Sequence, residues 1–140
     1  MTAKTAVTPP AAPVTHAGVH LIIEMWQATR IDEVSHVRET LKAAAEATGA
    51  TLLGTEVHDF GDGCGVTGVA ILAESHISVH SWPEYGYAAF DVFTCGHADP
   101  YRALPVLSQA FGTTDLHVVE HKRGTRLNAA VHLRSEPACA

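Results

Sequence analysis

Residues 74–96 read Glu-Ser-His-Ile-Ser-Val-His-Ser-Trp-Pro-Glu-Tyr-Gly-Tyr-Ala-Ala-Phe-Asp-Val-Phe-Thr-Cys-Gly. Apolar residues alternate with polar ones in both halves, which predicts two strands, and the Trp-Pro-Glu segment between them predicts a turn. Serine, histidine, glutamate and cysteine, which serve as nucleophiles, bases and acids, are gathered on these two strands. A strand pair whose polar side chains only face solvent has the same pattern, so spacing alone leaves both interpretations open.

The flanking segments predict four more strands and two helices. Their periodicity predicts strands at 19–26, 50–58, 66–73 and 116–121, and helices at 31–48 and 99–111. Gly49 stands where a glycine ends the first helix. Asp99 before Pro100 is typical of a helix start, and Pro105, beyond the first turn, predicts a kink in the second helix.

This order of elements predicts an α+β fold, a two-layer sandwich in which an antiparallel sheet carries two helices on one face. The other face, if apolar, would need a partner, which in a chain of 140 residues suggests a homodimer. We expect one domain at 17–125, a flexible N-terminal tail at 1–16 and a C-terminal tail at 126–140.

Composition excludes several classes of protein. The net charge is −6 and the only basic run is at 121–123, so nucleic acid is not an expected partner. Three cysteines without CxxC spacing argue against a disulfide framework. No apolar run approaches the roughly 18 residues of a membrane span, and the N-terminal segment lacks the apolar region of a secretory signal. We therefore expect a cytoplasmic protein that does not bind membranes.

Two conventional kinds of site find little support. Ser75 lacks the Gly-x-Ser-x-Gly elbow of a hydrolase nucleophile. His76 and His80 share one face of a strand but would lie about 13 Å apart, too far to bind one metal ion. The other histidines are scattered singly along the chain, so we predict no metal site.

A third possibility is that the backbone itself reacts. If the peptide before a serine is strained, the hydroxyl can attack the preceding carbonyl and convert the amide to an ester. Elimination and hydrolysis then leave a pyruvoyl group, which can form a Schiff base with an amine and withdraw electrons, as pyridoxal phosphate does. The junction of Glu74 and Ser75, with His80 five residues on and a turn that could fold the strands together, would suit this chemistry.

The same stretch resembles the processing and active-site segment of prokaryotic S-adenosylmethionine decarboxylases, which are self-processing, pyruvoyl-dependent proenzymes. The similarity lies in Glu-Ser-His at 74–76, His-Ser-Trp-Pro-Glu at 80–84, Gly-Tyr-Ala at 86–88 and Phe-Thr-Cys-Gly at 93–96. Weaker similarity at 18–20, 65–69 and 118–124 extends it over nearly all of 17–125.

The resemblance implies a role for each matching residue in processing and catalysis. Cleavage between Glu74 and Ser75 would turn Ser75 into the pyruvoyl cofactor. His80 would be the base for elimination, and Thr67 stands where the family has a serine that assists processing. Cys95 would return a proton to the substrate after carbon dioxide leaves, which requires a protonated thiol.

The resemblance also implies how substrate is held and how the protein assembles. Glu84 would bind the ribose hydroxyls of S-adenosylmethionine, and Phe60 would stack on its adenine. The protein would be a homo-oligomer, a dimer of processed protomers, and its product would serve spermidine and hence polyamine biosynthesis.

Departures from the family pattern leave an alternative substrate open. Val19 replaces a basic residue, and the loop at 61–64 lacks the usual proline and is one residue longer. Related pyruvoyl enzymes decarboxylate arginine or ornithine, and Asp62 could pair with such a cation. Retention of Phe60 and Glu84 favours S-adenosylmethionine. Retention of the processing and catalytic residues disfavours a regulatory partner that no longer cleaves itself.

Overall fold

The computed structural model describes residues 15–126, so the two predicted tails lie almost entirely outside the described residues. The elements are β1 (Gly18–Met25), α1 (Val34–Thr48), β2 (Leu52–Asp59), β3 (Val66–Leu72), β4 (Ser75–Trp82), β5 (Tyr87–Cys95), α2 (Ala103–Phe111) and β6 (Leu116–Arg123). The strands form one sheet in the order β2-β3-β4-β5-β1-β6, and every neighbouring pair is antiparallel. The predicted α+β sandwich is confirmed.

The hydrophobic core lies between the sheet and the two helices. Along β4 and β5, alternate side chains are buried, among them Ile77, Val79, Phe90 and Val92. The helices close this layer, with Leu41 of α1 and residues of α2 fully buried against the sheet. The period of two in the sequence therefore separates a helix-facing side of the sheet from a polar, accessible side.

The first helix begins three residues later than predicted. Glu33 is its N-cap in an extended conformation, and helical geometry starts at Val34. Ile31 is instead buried, and its carbonyl accepts a hydrogen bond from the Ser81 hydroxyl at 2.7 Å. This tertiary contact overrides the local helical pattern. At the other end Gly49 adopts φ 84°, the left-handed conformation expected of a C-terminal glycine.

The second helix is divided at its start. The Asp99 carboxylate accepts from the backbone N–H of Tyr101 at 3.0 Å, which confirms the predicted cap. Residues 100–102 form a 3₁₀ turn, and α2 starts at Ala103. Pro105 is thus the third residue of α2, where an N–H has no intrahelical partner, so its ring interrupts no helical hydrogen bond. The expected kink is replaced by the change from 3₁₀ to α geometry before it.

The sheet face turned away from the helices, here called the open face, is accessible in the single chain and partly apolar. Ile22 and Val119 face each other across β1 and β6, with exposed fractions of 36% and 40%. Trp26 and Trp82 stack on Tyr87, with ring centroids 4.4 Å and 5.2 Å from it. Among the described helices, none is long and apolar enough to cross a membrane.

Candidate active site

The turn between β3 and β4 places Glu74 in an unusual backbone conformation. Its φ is 55°, in the left-handed region that residues with a Cβ rarely adopt. Such a conformation costs about 1–2 kcal/mol in a residue other than glycine. The next residue, Ser75, is the first of β4. The strained residue therefore directly precedes the serine at the predicted cleavage point.

Ser75 lies against the end of the neighbouring strand. Its Oγ accepts a hydrogen bond from the backbone N–H of Cys95 at 3.3 Å and lies 3.7 Å from the Cys95 Sγ. The thiol in turn lies 3.7 Å from a carboxylate oxygen of Glu74, to which it can donate its proton. The structure thus brings together three predicted site residues: the residue before the cleavage point, the serine and the proposed acid.

His80 and Thr67 form a second group at the other end of β4. They are directly opposite in the β3–β4 ladder, and Thr67 Oγ1 lies 3.0 Å from His80 Nδ1. Five residues of extended strand separate His80 from Ser75, a distance of about 17 Å. Because β4 is continuous through both residues, His80 cannot reach Ser75 of the same chain.

A cavity of about 550 Å³ lies beside the second group. Its lining includes Phe60, Cys64, Gly65, Thr67, His80, Trp82 and Glu84. Both predicted substrate-binding residues are therefore in one cavity, whose size is typical of small-molecule sites. The loop that closes it needs a glycine at position 65, since a Cβ there would lie 1.7 Å from the Ser81 carbonyl oxygen.

The open face also carries a polar network that the sequence analysis missed. The Asp91 carboxylate accepts from His20 Nε2 at 2.6 Å, from His76 Nε2 at 2.7 Å and from the Ser78 hydroxyl. Burial by itself raises the pKa of Asp91, but hydrogen bonds from Ser78, His20 and His76 outweigh it and lower the pKa below its usual value. His20, which the sequence analysis counted among the scattered single histidines, is therefore part of a cluster with His76 and Asp91.

The only sequence signal for this network was an aspartate among apolar residues on a strand. The partners come from β1 and β4, on either side of β5, and only the strand register shows that they meet.

The donor atoms of His20, His76 and Asp91 lie within 4.8 Å of one another, as those of a metal site would. Arg123 Nη1, however, lies 3.1 Å from the second ring nitrogen of His20, Nδ1. A guanidinium only donates, so Nδ1 accepts and Nε2 of the neutral ring carries the proton that it donates to Asp91. These contacts favour a hydrogen-bonded network over a metal centre.

Residues 19–124 match the family model described as S-adenosylmethionine decarboxylase. The chain belongs to this family. It is 46% identical over 108 residues to the S-adenosylmethionine decarboxylase proenzyme of Thermomicrobium roseum, a match covering 76% of this chain and 93% of that protein. The proenzyme of Methanococcus aeolicus is 44% identical over 113 residues, covering 79% of this chain and 96% of the relative.

A solved decarboxylase has the same fold. The crystal structure of the adenosylmethionine decarboxylase from Aquifex aeolicus superposes with a TM-score of 0.70 at 34% identity, covering 79% of this chain and 93% of that one. The family predicted from residues 74–96 is thereby confirmed. Both curated relatives are named proenzymes, so those decarboxylases are made as precursors.

Proposed function

We propose that this chain is an S-adenosylmethionine decarboxylase that cleaves itself between Glu74 and Ser75 and carries a pyruvoyl group made from Ser75. The observation that carries the proposal is the left-handed Glu74 directly before a serine hydroxyl held beside Cys95, in a chain related to proenzymes. Residues 17–125 are the proposed catalytic unit, and the segments on either side are proposed tails.

Cleavage begins with attack of the Ser75 hydroxyl oxygen on the Glu74 carbonyl carbon. The carbon–nitrogen bond breaks, an ester joins the two residues, and the amine of Ser75 is freed. The hydrogen bond from the Cys95 N–H fixes the hydroxyl, and opening the peptide bond relieves the left-handed conformation of Glu74. The hydrogen bond therefore favours attack by the hydroxyl, and the relief of strain favours the ester over the peptide.

Elimination then completes the cofactor. A base removes the Cα proton of Ser75, the ester carbon–oxygen bond breaks, and Glu74 leaves as a carboxylate. Tautomerisation of the resulting alkene to an imine, followed by water addition and loss of ammonia, leaves the ketone. His80 is the proposed base, and its contact with Thr67 Oγ1 at 3.0 Å fixes the ring orientation.

Because about 17 Å of strand separates His80 from its own Ser75, a second copy of the chain is the source of the base that this proposal requires. Two open faces stacked about a two-fold axis that runs between them, across the middle of β4, would bring the Ser75 end of one copy to the His80 end of the other. The same contact would bury the apolar side chains Ile22, Ile71 and Val119, which are at least 36% exposed in one chain.

The cavity suits the nucleoside part of the substrate. Phe60 is 58% exposed, so one ring face is free to stack on adenine, while its edge contact with His58, with centroids 4.6 Å apart, holds the ring. Glu84 can accept two hydrogen bonds from ribose hydroxyls. The names of the relatives favour S-adenosylmethionine over arginine or ornithine.

The pyruvoyl ketone, once formed, supplies an electron sink for loss of carbon dioxide from a bound amino acid. The chain contributes the proton that replaces the carboxylate. Cys95 is the proposed donor, because its Sγ lies 3.7 Å from the Ser75 oxygen, and Glu74 beside it is the new terminus after cleavage. A neutral thiol at this position protonates the α-carbon of the substrate.

Mass spectrometry of purified protein, together with release of carbon dioxide from S-adenosylmethionine, arginine and ornithine, tests the proposal. We expect two fragments, the second beginning with a pyruvoyl group, and turnover of S-adenosylmethionine. An active protein that is not cleaved, or a second fragment that begins with an intact serine, contradicts the proposal of a pyruvoyl cofactor. Turnover of arginine or ornithine without turnover of S-adenosylmethionine contradicts S-adenosylmethionine as the substrate.

Mixing two inactive variants tests the requirement for a second copy. Ser75→Ala and His80→Ala proenzymes, coexpressed with different tags, would form hybrid dimers with one complete site. Random pairing predicts about a quarter of wild-type cleaved sites. Cleavage of the His80→Ala chain only in the presence of the Ser75→Ala chain supports the shared site, and its absence in hybrids isolated through both tags contradicts it.

A further inference from the structure

The network around Asp91 has no part in the roles given above, although it lies next to the cleavage point. We propose that Asp91 is a positioning residue for self-cleavage. It holds His76, the residue after Ser75, and through it fixes the Ser75 hydroxyl against the Glu74 carbonyl. This inference rests on the proposed self-cleavage.

The strand pairing shows why Ser75 needs such an anchor. Ser75 is paired with Leu72 of β3, but the β4–β5 ladder runs only from Trp82 to His76, so on the β5 side Ser75 lies one residue beyond the last pair. Yet Ser75 must stay aligned with the end of β5, where the Cys95 N–H donates to its hydroxyl at 3.3 Å. The last residues of a ladder fray easily when only backbone bonds hold them.

Asp91 supplies side-chain contacts at this point. His76 donates to it from the last ladder pair, and Ser78 donates from two residues further along the same strand. Both donors are on β4 and the acceptor is on β5, so the carboxylate joins the two strands just where the ladder ends. A charged acceptor makes these bonds stronger than neutral ones.

The carboxylate is itself held from the opposite side. His20 on β1 donates to it at 2.6 Å, and Arg123 on β6 donates to the other nitrogen of that ring at 3.1 Å. The rings of His20, His76 and Phe93 all contact one another, with centroids 5.7 Å apart for the two histidines and 5.5 Å and 5.9 Å from Phe93 to each of them. Hydrogen bonds from β1 and β4 thus hold Asp91 directly, Arg123 on β6 supports it through His20, and the side chain of Asp91 is only 20% exposed.

The test is a time course of cleavage of purified proenzyme, with and without hydroxylamine, which cleaves esters and so reports the first step. Asp91→Asn should slow spontaneous cleavage and hydroxylamine cleavage alike, by about tenfold or more, since a hydrogen bond to a charged group is lost at each histidine. His80→Ala, which blocks the later elimination, should instead keep hydroxylamine cleavage. Asp32→Asn, the same change at an exposed position, should leave both rates unchanged.

A second pair of variants separates positioning from general stability. His76→Gln keeps an N–H donor that can reach Asp91 and should cleave within about twofold of wild type, whereas His76→Phe keeps only the ring packing and should be as slow as Asp91→Asn. Melting temperatures of all the variants are compared on the uncleaved proteins.

Each result decides between the inference and the proposed function. A wild-type proenzyme that never cleaves contradicts the self-cleavage itself. Normal cleavage of Asp91→Asn, or equal rates for the Gln and Phe variants at His76, overturns the inference alone. Slow cleavage of Asp91→Asn with undiminished hydroxylamine cleavage also overturns it, because the defect would then follow ester formation. If Asp91→Asn fails to fold, the His76 pair decides.

Discussion

The two ends of strand β4 carry different chemistry. At the Ser75 end, the Cys95 thiol lies 3.7 Å from the Ser75 hydroxyl and 3.7 Å from the carboxylate of Glu74, whose backbone is left-handed. At the other end lie His80 with Thr67 and a cavity of about 550 Å³. In the proposed mechanism, one end therefore has the bond that is cleaved, and the other has the base and a cavity for a ligand.

This difference is the reason that the proposed mechanism takes the two ends from two copies of the chain. A strand holds the positions of its side chains firmly but also holds them apart, by about 3.3 Å for each residue. Groups five residues apart on one strand cannot meet, whereas the same groups on two copies related by a two-fold axis can. The following predictions concern both ends of β4, and they are ordered from the largest expected effect to the smallest.

Ser75→Ala should have the largest effect, a complete loss of cleavage and of decarboxylation, because the reacting oxygen is gone. Gel electrophoresis and carbon dioxide release measure the two losses. Ser35→Ala, the same change at an exposed position of α1, is the control and should behave as wild type. Any decarboxylase activity of the Ser75→Ala protein would contradict a pyruvoyl cofactor made from Ser75.

Cys95→Ala should still cleave but decarboxylate about 10²–10⁴-fold more slowly, the usual contribution of a positioned proton donor. Cleavage survives because the Cys95 contact with the Ser75 oxygen is made by the backbone N–H, which alanine keeps. Comparison of the fragment pattern with the turnover rate separates the two steps. Normal turnover by the Cys95→Ala variant would show that Cys95 is not the proton donor.

Phe60→Ala acts at the other end of β4 and should raise KM for S-adenosylmethionine by about 10–100-fold, as expected for loss of one stacked base. Cleavage should be unaffected, because no substrate is bound during processing. Phe60→Trp, which keeps a stacking surface, is the matched variant and should stay near wild type. An unchanged KM in the alanine variant would place the adenine elsewhere.

Glu74→Gly should have the smallest effect, a cleavage rate lower by roughly tenfold. A positive φ costs other residues about 1–2 kcal/mol of conformational energy, and glycine adopts it without that cost. The free energy of the uncleaved protein is then no longer raised by strain at this residue. Glu74→Ala keeps the strain but removes the carboxylate, which separates the two effects in the same time course. Equal rates for the glycine and alanine variants would mean that backbone strain contributes nothing to cleavage.

The local sequence predicted most of the elements because each had its own signal. Alternation predicted all six strands, with each end within about two residues of its observed position. Gly49 and Asp99 marked helix ends, one by its left-handed backbone and the other by its capping side chain. The errors came where distant residues compete with local preference. Ile31 left the predicted helix because its carbonyl is bound by Ser81, fifty residues away.

The site was predicted in part, for a similar reason. The motif at 74–96, two strands joined by one turn, identified Glu74, Ser75 and Cys95. The structure brings these three residues together. The contact of Asp91 with His20 was missed, because 71 residues separate them and only the β1–β5 register aligns them.

By itself, the sequence determined the family and the α+β order of elements, and it supplied the residues that are proposed to react, since these follow from residue types and short spacings. Tertiary structure alone decided that Ser75 lies against Cys95 of the neighbouring strand and that a network forms around Asp91. The physical reason is that side chains acquire neighbours from strand register and sheet order, and both are set by pairing between segments that lie far apart in the chain.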